Sequence, residues 1–344
     1  MTSETTGPRA AIVGCLGEGL SAEERALFRA SDPLGLILFR RNCTDPAQVR
    51  ALAADFRETV GRADAPVLID QEGGRVQRLR PPHWRDYPPA AVFGTLYESD
   101  PDAACEAAWL NAALQAAELA PLGITVNCAP MIDVRDPEAH DIVGDRAFSG
   151  DPDVVIALGR AVMDGLMSGG VLPVIKHVPG HGRARADSHE ELPVVEADRA
   201  ALARDFAPFR ALADAPFAMT AHVVYTALDA ERPATLSRAV VEGVMRGEIG
   251  IGGAILSDDL SMKALSGTLG GRAAASIAAG CDVALHCNGE MAEMAEVLDA
   301  VPRLSGAALA RVEAALARVR RPAPADGGDL LARRDALLAP VLPA

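Results

Sequence analysis

The 344-residue chain predicts an α/β protein, a single-domain (β/α)8 barrel of the TIM type, and three observations carry that prediction. Eight short apolar runs alternate with longer stretches whose apolar residues recur every three or four positions. That is the pattern of buried parallel strands joined by helices. Nearly every run ends in ionisable or amide side chains, which a barrel gathers around one mouth; an open doubly wound sheet, the runner-up, would concentrate its site at one crevice. No strong boundary interrupts the chain before about residue 303.

The predicted strands are Ala10–Val13, Gly35–Phe39, Pro66–Ile69, Ile124–Cys128, Leu172–Ile175, Phe217–Thr220, Gly253–Leu256 and Asp282–Leu285. Between them lie helical patterns such as AEERALFRA, PAQVRALAADFRETV, ACEAAWLNAALQAAELA, DVVIALGRAVMDGLMS and RAALARDFAPFRALAD. The polar groups that follow are Arg40-Arg41-Asn42, Asp70-Gln71-Glu72, Asn127 with Asp133, Lys176-His177, His222, Ser257-Asp258-Asp259, and His286 with Asn288. Segment 81–92, PPHWRDYPPAAV, is too proline-rich for a helix interior and reads as a long loop over the mouth. Residues 1–303 are expected to form the barrel, and 304–344 a helix with an Ala/Pro-rich tail packed on it or trailing it.

Composition narrows the partners. A net charge of −14 argues against nucleic acid, which needs a concentrated basic face. No apolar stretch reaches membrane-spanning length. The start, MTSETTGPRAAIVGC, ends like a lipoprotein cleavage site, but a polar segment precedes only four apolar residues, so a first core strand is expected. Six scattered cysteines without a C-x-x-C pair fit reduced core residues of a cytoplasmic protein. The glycines of GCLGEG echo a nucleotide loop too weakly to read one there.

Two stretches carry chemistry. In GGAILSDDLSMKAL, one aspartate of the Asp258–Asp259 pair can face the mouth while the other caps a following helix. In LPVIKHVPGHGRARADSHEELP, His177, His181, Asp187 and His189 crowd a loop that Gly180 and Gly182 are expected to keep mobile. His177, His181 and Asp258 could ligate a metal, although Pro179 and the glycines remove the helix that would give the four-residue spacing meaning. Alternatively Asp187 orients and charges His189 as a proton-transfer dyad. Arg75 reads as a solvated turn arginine, and Arg146 alone is ambiguous.

Taken with GLILFRRN, IDQEGGRVQRL, GDRAFSG and MTAHVVYTALDAERPATLS, the stretches KHVPGHGRARADSH and SDDLSM resemble the family 3 glycoside hydrolases from about Gly35 to Asn288, in the family's order. The resemblance is to the single-domain bacterial β-N-acetylglucosaminidases. It implies a (β/α)8 barrel that removes terminal N-acetylglucosamine from cell-wall fragments in the cytoplasm. Asp258 would then be the nucleophile and His189 the acid/base, assisted by Asp187. Asp70, Arg78, Arg146, Lys176 and His177 match the positions that hold sugar hydroxyls. The family usually has Phe where Val178 stands. No metal or other cofactor is implied, and the expected partner is a muropeptide or disaccharide containing N-acetylglucosamine, met by a monomer without nucleic acid or membrane. A metal-dependent barrel hydrolase and a non-catalytic sugar-binding barrel are the competing readings.

Overall fold

A computed structural model describes residues 6–138, 143–186, 191–319 and 327–342. Eight parallel strands close into a barrel: β1 Arg9–Val13, β2 Pro33–Leu38, β3 Val67–Ile69, β4 Val126–Asn127, β5 Leu172–Val178, β6 Phe217–Thr220, β7 Ala254–Asp259 and β8 Val283–His286. They stand in chain order, and closure is the pairing of β8 with β1, where Ala11, Ile12 and Val13 face Ala284, Leu285 and His286. All eight expected strands are found. Every residue of β2 and β5 is buried, so neither sheet face meets water, and helices account for the outer one.

A helix follows each strand: Ala22–Ser31, Pro46–Val60, Pro101–Leu119, Pro152–Ser168, Arg199–Ala211, Ala239–Ile249, Leu269–Ala279 and Met291–Ala300. Three of them start with the same two residues. Asp45, Asp100 and Asp151 each accept backbone N–H bonds of the first turn, and each is followed by a proline whose missing N–H is no loss there. Replacing such a cap by Ala costs about 0.5–2 kcal/mol.

Segment 81–92 differs from expectation. Trp84 and Tyr87 turn inward and are buried, and Ala90 already opens the helix Ala90–Tyr97. The backbone of Tyr87 and Pro88 supports the turn at Gly73 and Gly74, where Gly74 donates its N–H to the Tyr87 carbonyl at 2.7 Å. A Cβ on Gly73 would lie 2.3 Å from the Pro88 carbonyl oxygen. The segment therefore buttresses a hairpin at the mouth, and among the described residues none of 81–92 lines the cavity there.

Beyond β8, the helices Gly306–Leu316 and Gly327–Leu338 lie against the barrel. Arg334 of the second is buried, donates to Asn111 at 3.1 Å and stands over the Tyr87 ring. Among the described residues no helix is long and apolar enough to cross a membrane.

Candidate active site

The carboxyl ends of the strands surround a cavity of about 280 Å3. Asp70, Arg78, Arg146, Lys176, His177 and Asp258 all line it, so six of the residues singled out in the sequence come together. Asp187 and His189 lie outside the described residues.

Strand β7 runs further than its apolar core suggests, to Asp259, and the last two residues diverge in role. Asp259 is occupied: its carboxylate accepts from Ser261 N at 3.0 Å, Ser261 Oγ at 2.7 Å and Cys287 N at 3.2 Å, tying the end of β7 to the end of β8. It caps a turn and not a helix, because the next helix begins only at Leu269 under Thr268. Asp258 faces the cavity, and among the described residues its carboxylate accepts one bond, from Asp259 N at 2.8 Å. Burial pushes the Asp258 carboxyl up, but His177, His222, the Asp259 N–H and Lys176 outweigh it, and the group is held below the ordinary carboxylate range.

A chain of hydroxyls steadies that strand end. Asp258 N donates to Thr220 Oγ1 at 3.3 Å, Thr220 and Thr235 share a 2.7 Å contact, and Thr235 Oγ1 lies 2.7 Å from His222 Nδ1. His222 Nε2 stands 2.9 Å from the Asp259 carbonyl, which can only accept, so Nε2 carries the proton. Burial keeps His222 below its usual value and neutral. This loop returns to the backbone it left, and it involves Thr220 and Thr235, which sequence reasoning missed.

The opposite wall is an alternating charge network. Asp70, directly after β3, accepts from Lys176 Nζ at 2.9 Å and Arg78 at 3.0 Å. Glu72 accepts Arg146 through both Nε at 2.9 Å and Nη2 at 2.8 Å, and Lys176 Nζ at 2.7 Å. The hairpin Gln71–Gly73/Val76–Gln77 places these groups, and Asn127 at the end of β4 clamps it through Gln71 N and O. Burial would raise Glu72, but Arg146 and Lys176 prevail and hold it at about 2. Asp70 is likewise depressed despite burial, and Lys176 stays cationic despite burial because Asp70 and Glu72 face it. Arg75 is an exposed turn arginine, as expected, and it also pairs with the exposed Asp145 at 3.1 Å at the edge of the cavity.

Lys176 and His177 belong to β5, which continues past Ile175 to Val178. His177 Nδ1 lies 2.8 Å from Asp133, a fully buried carboxylate between β4 and the helix Pro152–Ser168. His181 N also donates to Asp133, at 2.6 Å. Burial, reinforced by the neighbouring His177, lowers His181 to about 4, so this cavity-lining imidazole is neutral at pH 7.

Gly180 and Gly182, expected to make the loop mobile, are instead close-packing positions. A Cβ on Gly182 would sit 1.8 Å from the Val134 carbonyl oxygen. Gly180 has φ of 136° and a carbonyl that accepts from Tyr225 Oη at 2.7 Å. Arg183 adds ion pairs to Asp136 at 3.0 Å and Asp205 at 2.6 Å. The described part of the loop, through 186, has a pinned root.

A closed (β/α)8 barrel with an ionised carboxylate and a cation-lined cavity at its carboxyl end has the construction of a barrel enzyme. Residues 16–321 match the glycosyl hydrolase family 3 N-terminal domain, and the chain belongs to that family as a glycoside hydrolase. It is 41% identical over 293 residues to a β-hexosaminidase of Thiobacillus denitrificans, covering 83% of this chain and 79% of the relative. With a β-hexosaminidase of Alkalilimnicola ehrlichii it shares 42% over 282 residues, 80% of each. Among solved structures, native NagZ from Neisseria gonorrhoeae superposes with a TM-score of 0.86 at 29% identity, covering 99% of this chain and 100% of that one. The same enzyme in complex with N-trifluoroacetyl-D-glucosamine gives 0.87 at 29% identity, covering 98% and 100%.

Proposed function

We propose that this chain is a retaining exo-β-N-acetylglucosaminidase acting on peptidoglycan fragments. Its substrate is a terminal, non-reducing β-linked N-acetylglucosamine on 1,6-anhydro-N-acetylmuramic acid, with or without peptide, during cell-wall recycling in the cytoplasm. The β-hexosaminidase relatives and the glucosamine-derivative complex of the gonococcal enzyme support the sugar. The observation that carries the chemistry is the asymmetry of the aspartate pair: Asp259 is consumed by three hydrogen bonds, while Asp258 presents an ionised carboxylate to the cavity.

In this mechanism Asp258 attacks the anomeric carbon, forming a glycosyl ester as the bond to the aglycone oxygen breaks. His189, oriented by Asp187, gives its proton to that departing oxygen. In the second step His189 takes a proton from water, whose oxygen attacks the anomeric carbon and releases Asp258. Asp70, Arg78, Arg146, Lys176 and His177 hold the sugar hydroxyls, and ion pairs with one another, with Glu72 and with Asp133 keep them oriented before substrate arrives. The catalytic unit is the barrel of residues 1–303, with 304–344 as its appended helices, working as a monomer.

The test uses the leaving group. General acid catalysis contributes about 10²–10⁴-fold, but only where the departing oxygen needs a proton. His189→Ala therefore loses far more glycosylation rate on the natural disaccharide than on a nitrophenyl glycoside, measured before the steady state. Equal losses on both substrates would mean that His189 does not donate the proton.

A further inference from the structure

We infer that Asp133 is a positioning residue of this active site: it holds His177 with its Nδ1 proton turned away from the cavity and Nε2 toward the sugar, and it pins the root of the following loop. The inference rests on the glycosidase reading of the cavity and adds to it a residue that never touches substrate. Asp133 is fully buried, and a carboxylate there is costly unless its oxygens are occupied. Both oxygens turn to β5 and the turn after it. Oδ2 lies 2.8 Å from His177 Nδ1, each oxygen lies 3.3 Å from His177 N, and Oδ1 accepts from His181 N at 2.6 Å.

The backbone explains how a residue 44 positions upstream of His177 arrives there. Beyond β4 the chain keeps to the side of β5: Val174 N donates to the Ala129 carbonyl at 3.0 Å, and Ile132 N to the Lys176 carbonyl at 2.9 Å. Asp133 is the next residue and so meets His177. The same segment then receives the loop, with Asp136 N donating to the Gly182 carbonyl at 3.2 Å and Arg183 pairing with Asp136.

The chemistry fixes the proton. The Asp133 carboxyl is held below its ordinary range, since His177 and the His181 N–H outweigh the effect of burial. A carboxylate can only accept, so Nδ1 of His177 must donate. Nε2 is then the ring nitrogen that remains to meet a ligand, and His177 lines the cavity. A flipped tautomer would leave Nδ1 lone pair against carboxylate.

Asp133→Asn keeps the shape and an oxygen for the His181 N–H, but offers an amide N–H to Nδ1 and reverses the tautomer. The experiment records long-range ¹H–¹⁵N spectra of the full chain with labelled histidines at pH 7.5, with His177 assigned by its loss in His177→Gln. The wild type is expected to show a protonated Nδ1. Asp133→Asn is expected to lose that proton, and its kcat/KM on an aryl N-acetyl-β-glucosaminide to fall roughly 10- to 150-fold, the scale of one charge-assisted hydrogen bond. Arg183→Ala loosens the loop root without touching the carboxylate and should retain the wild-type histidine signature, which separates positioning from general support. An unprotonated Nδ1 in the wild type overturns the inference, and so does Asp133→Asn with kcat/KM within twofold of normal. Should that variant not fold, the wild-type spectrum decides alone. Wild-type protein that fails to cleave the aryl glycoside would sink the proposed function while leaving the histidine measurement standing.

Discussion

Asp258 and Asp259 are adjacent, both ionisable and both at the mouth, yet their environments predict opposite consequences of truncation. Asp259→Ala deletes an acceptor of three bonds from Ser261 and Cys287. Hydrogen bonds to a charged group are worth about 1.5–3 kcal/mol each and add incompletely, so the loss is about 3–6 kcal/mol. With about 2.1 cal/mol/K of unfolding entropy per residue, 1 kcal/mol moves the Tm of a 344-residue chain by about 1.4 °C. The melting point of Asp259→Ala should therefore fall by about 4–8 °C, with activity reduced through distortion of the β7 end. Asp258→Ala forfeits one bond to its neighbour's N–H, about 1.5–3 kcal/mol, and should melt no more than about 2–4 °C below wild type. Its kcat should drop by roughly 10⁴-fold or more, the scale expected when a covalent nucleophile is removed. Steady-state hydrolysis, thermal melts and mass mapping of a mechanism-based fluorosugar adduct read all three quantities. The reasoning is refuted if the adduct maps to Asp259, or if Asp259→Ala is inactive at an unchanged melting point while Asp258→Ala still turns over.

Two further outcomes follow from the ionised groups. Glu72→Gln removes one partner of a buried ion cluster, at a cost of about 3–5 kcal/mol, and frees Arg146 and Lys176 from their shared acceptor. KM for the aryl glycoside should rise more than kcat falls, and an unchanged KM would place the cluster outside sugar binding. His181, at about 4 in the folded chain against an ordinary 6.5, lets the unfolded chain bind the proton first. Stability from this group is complete above about 6.5 and is lost as pH falls toward 4. Urea midpoints across that range should decline less in His181→Gln than in the wild type, and parallel declines would show that the imidazole is not held neutral.

How far the sequence could be read depends on the range of the interaction. Strand cores were legible because burial on both faces requires continuous apolar runs, and each of the eight lies on a barrel strand. Their ends were less so: β5 and β7 carry Lys176-His177-Val178 and Ser257-Asp258-Asp259 within the strand, where polarity suggested that the strand had stopped. Polarity at these ends serves the mouth, so the rule that reads hydrophobicity as strand fails at the residues that line the cavity. The helix expected directly after Asp259 is absent for a related reason. Asp259 spends its carboxylate on Ser261 and on β8, and Cys287, its partner there, is 28 residues away. Asp133, Glu72 and His222 were visible as polar residues after strands, but their partners were not, since they join residues separated by 44, 74 and 13 positions.

The glycines of the PGHG stretch show how one local signal can carry two physical meanings. A glycine lacks a Cβ, which permits either a wider conformational range or a closer approach of another chain segment. Nothing in the stretch itself separates these, and the segment that approaches Gly182 is Val134, nearly fifty positions earlier. Once that contact is known, the conclusion reverses: the absent Cβ rigidifies the root by letting two backbones touch. This bears on catalysis, because His177 and His181 are then held by the same bed that carries Asp133. In the proposed mechanism this fixed root meets the sugar through His177, while the proton comes from His189 further along the same loop. Under that reading sugar binding and proton delivery fall to two parts of one loop, and the part that meets the sugar is the one held by Asp133 and Val134.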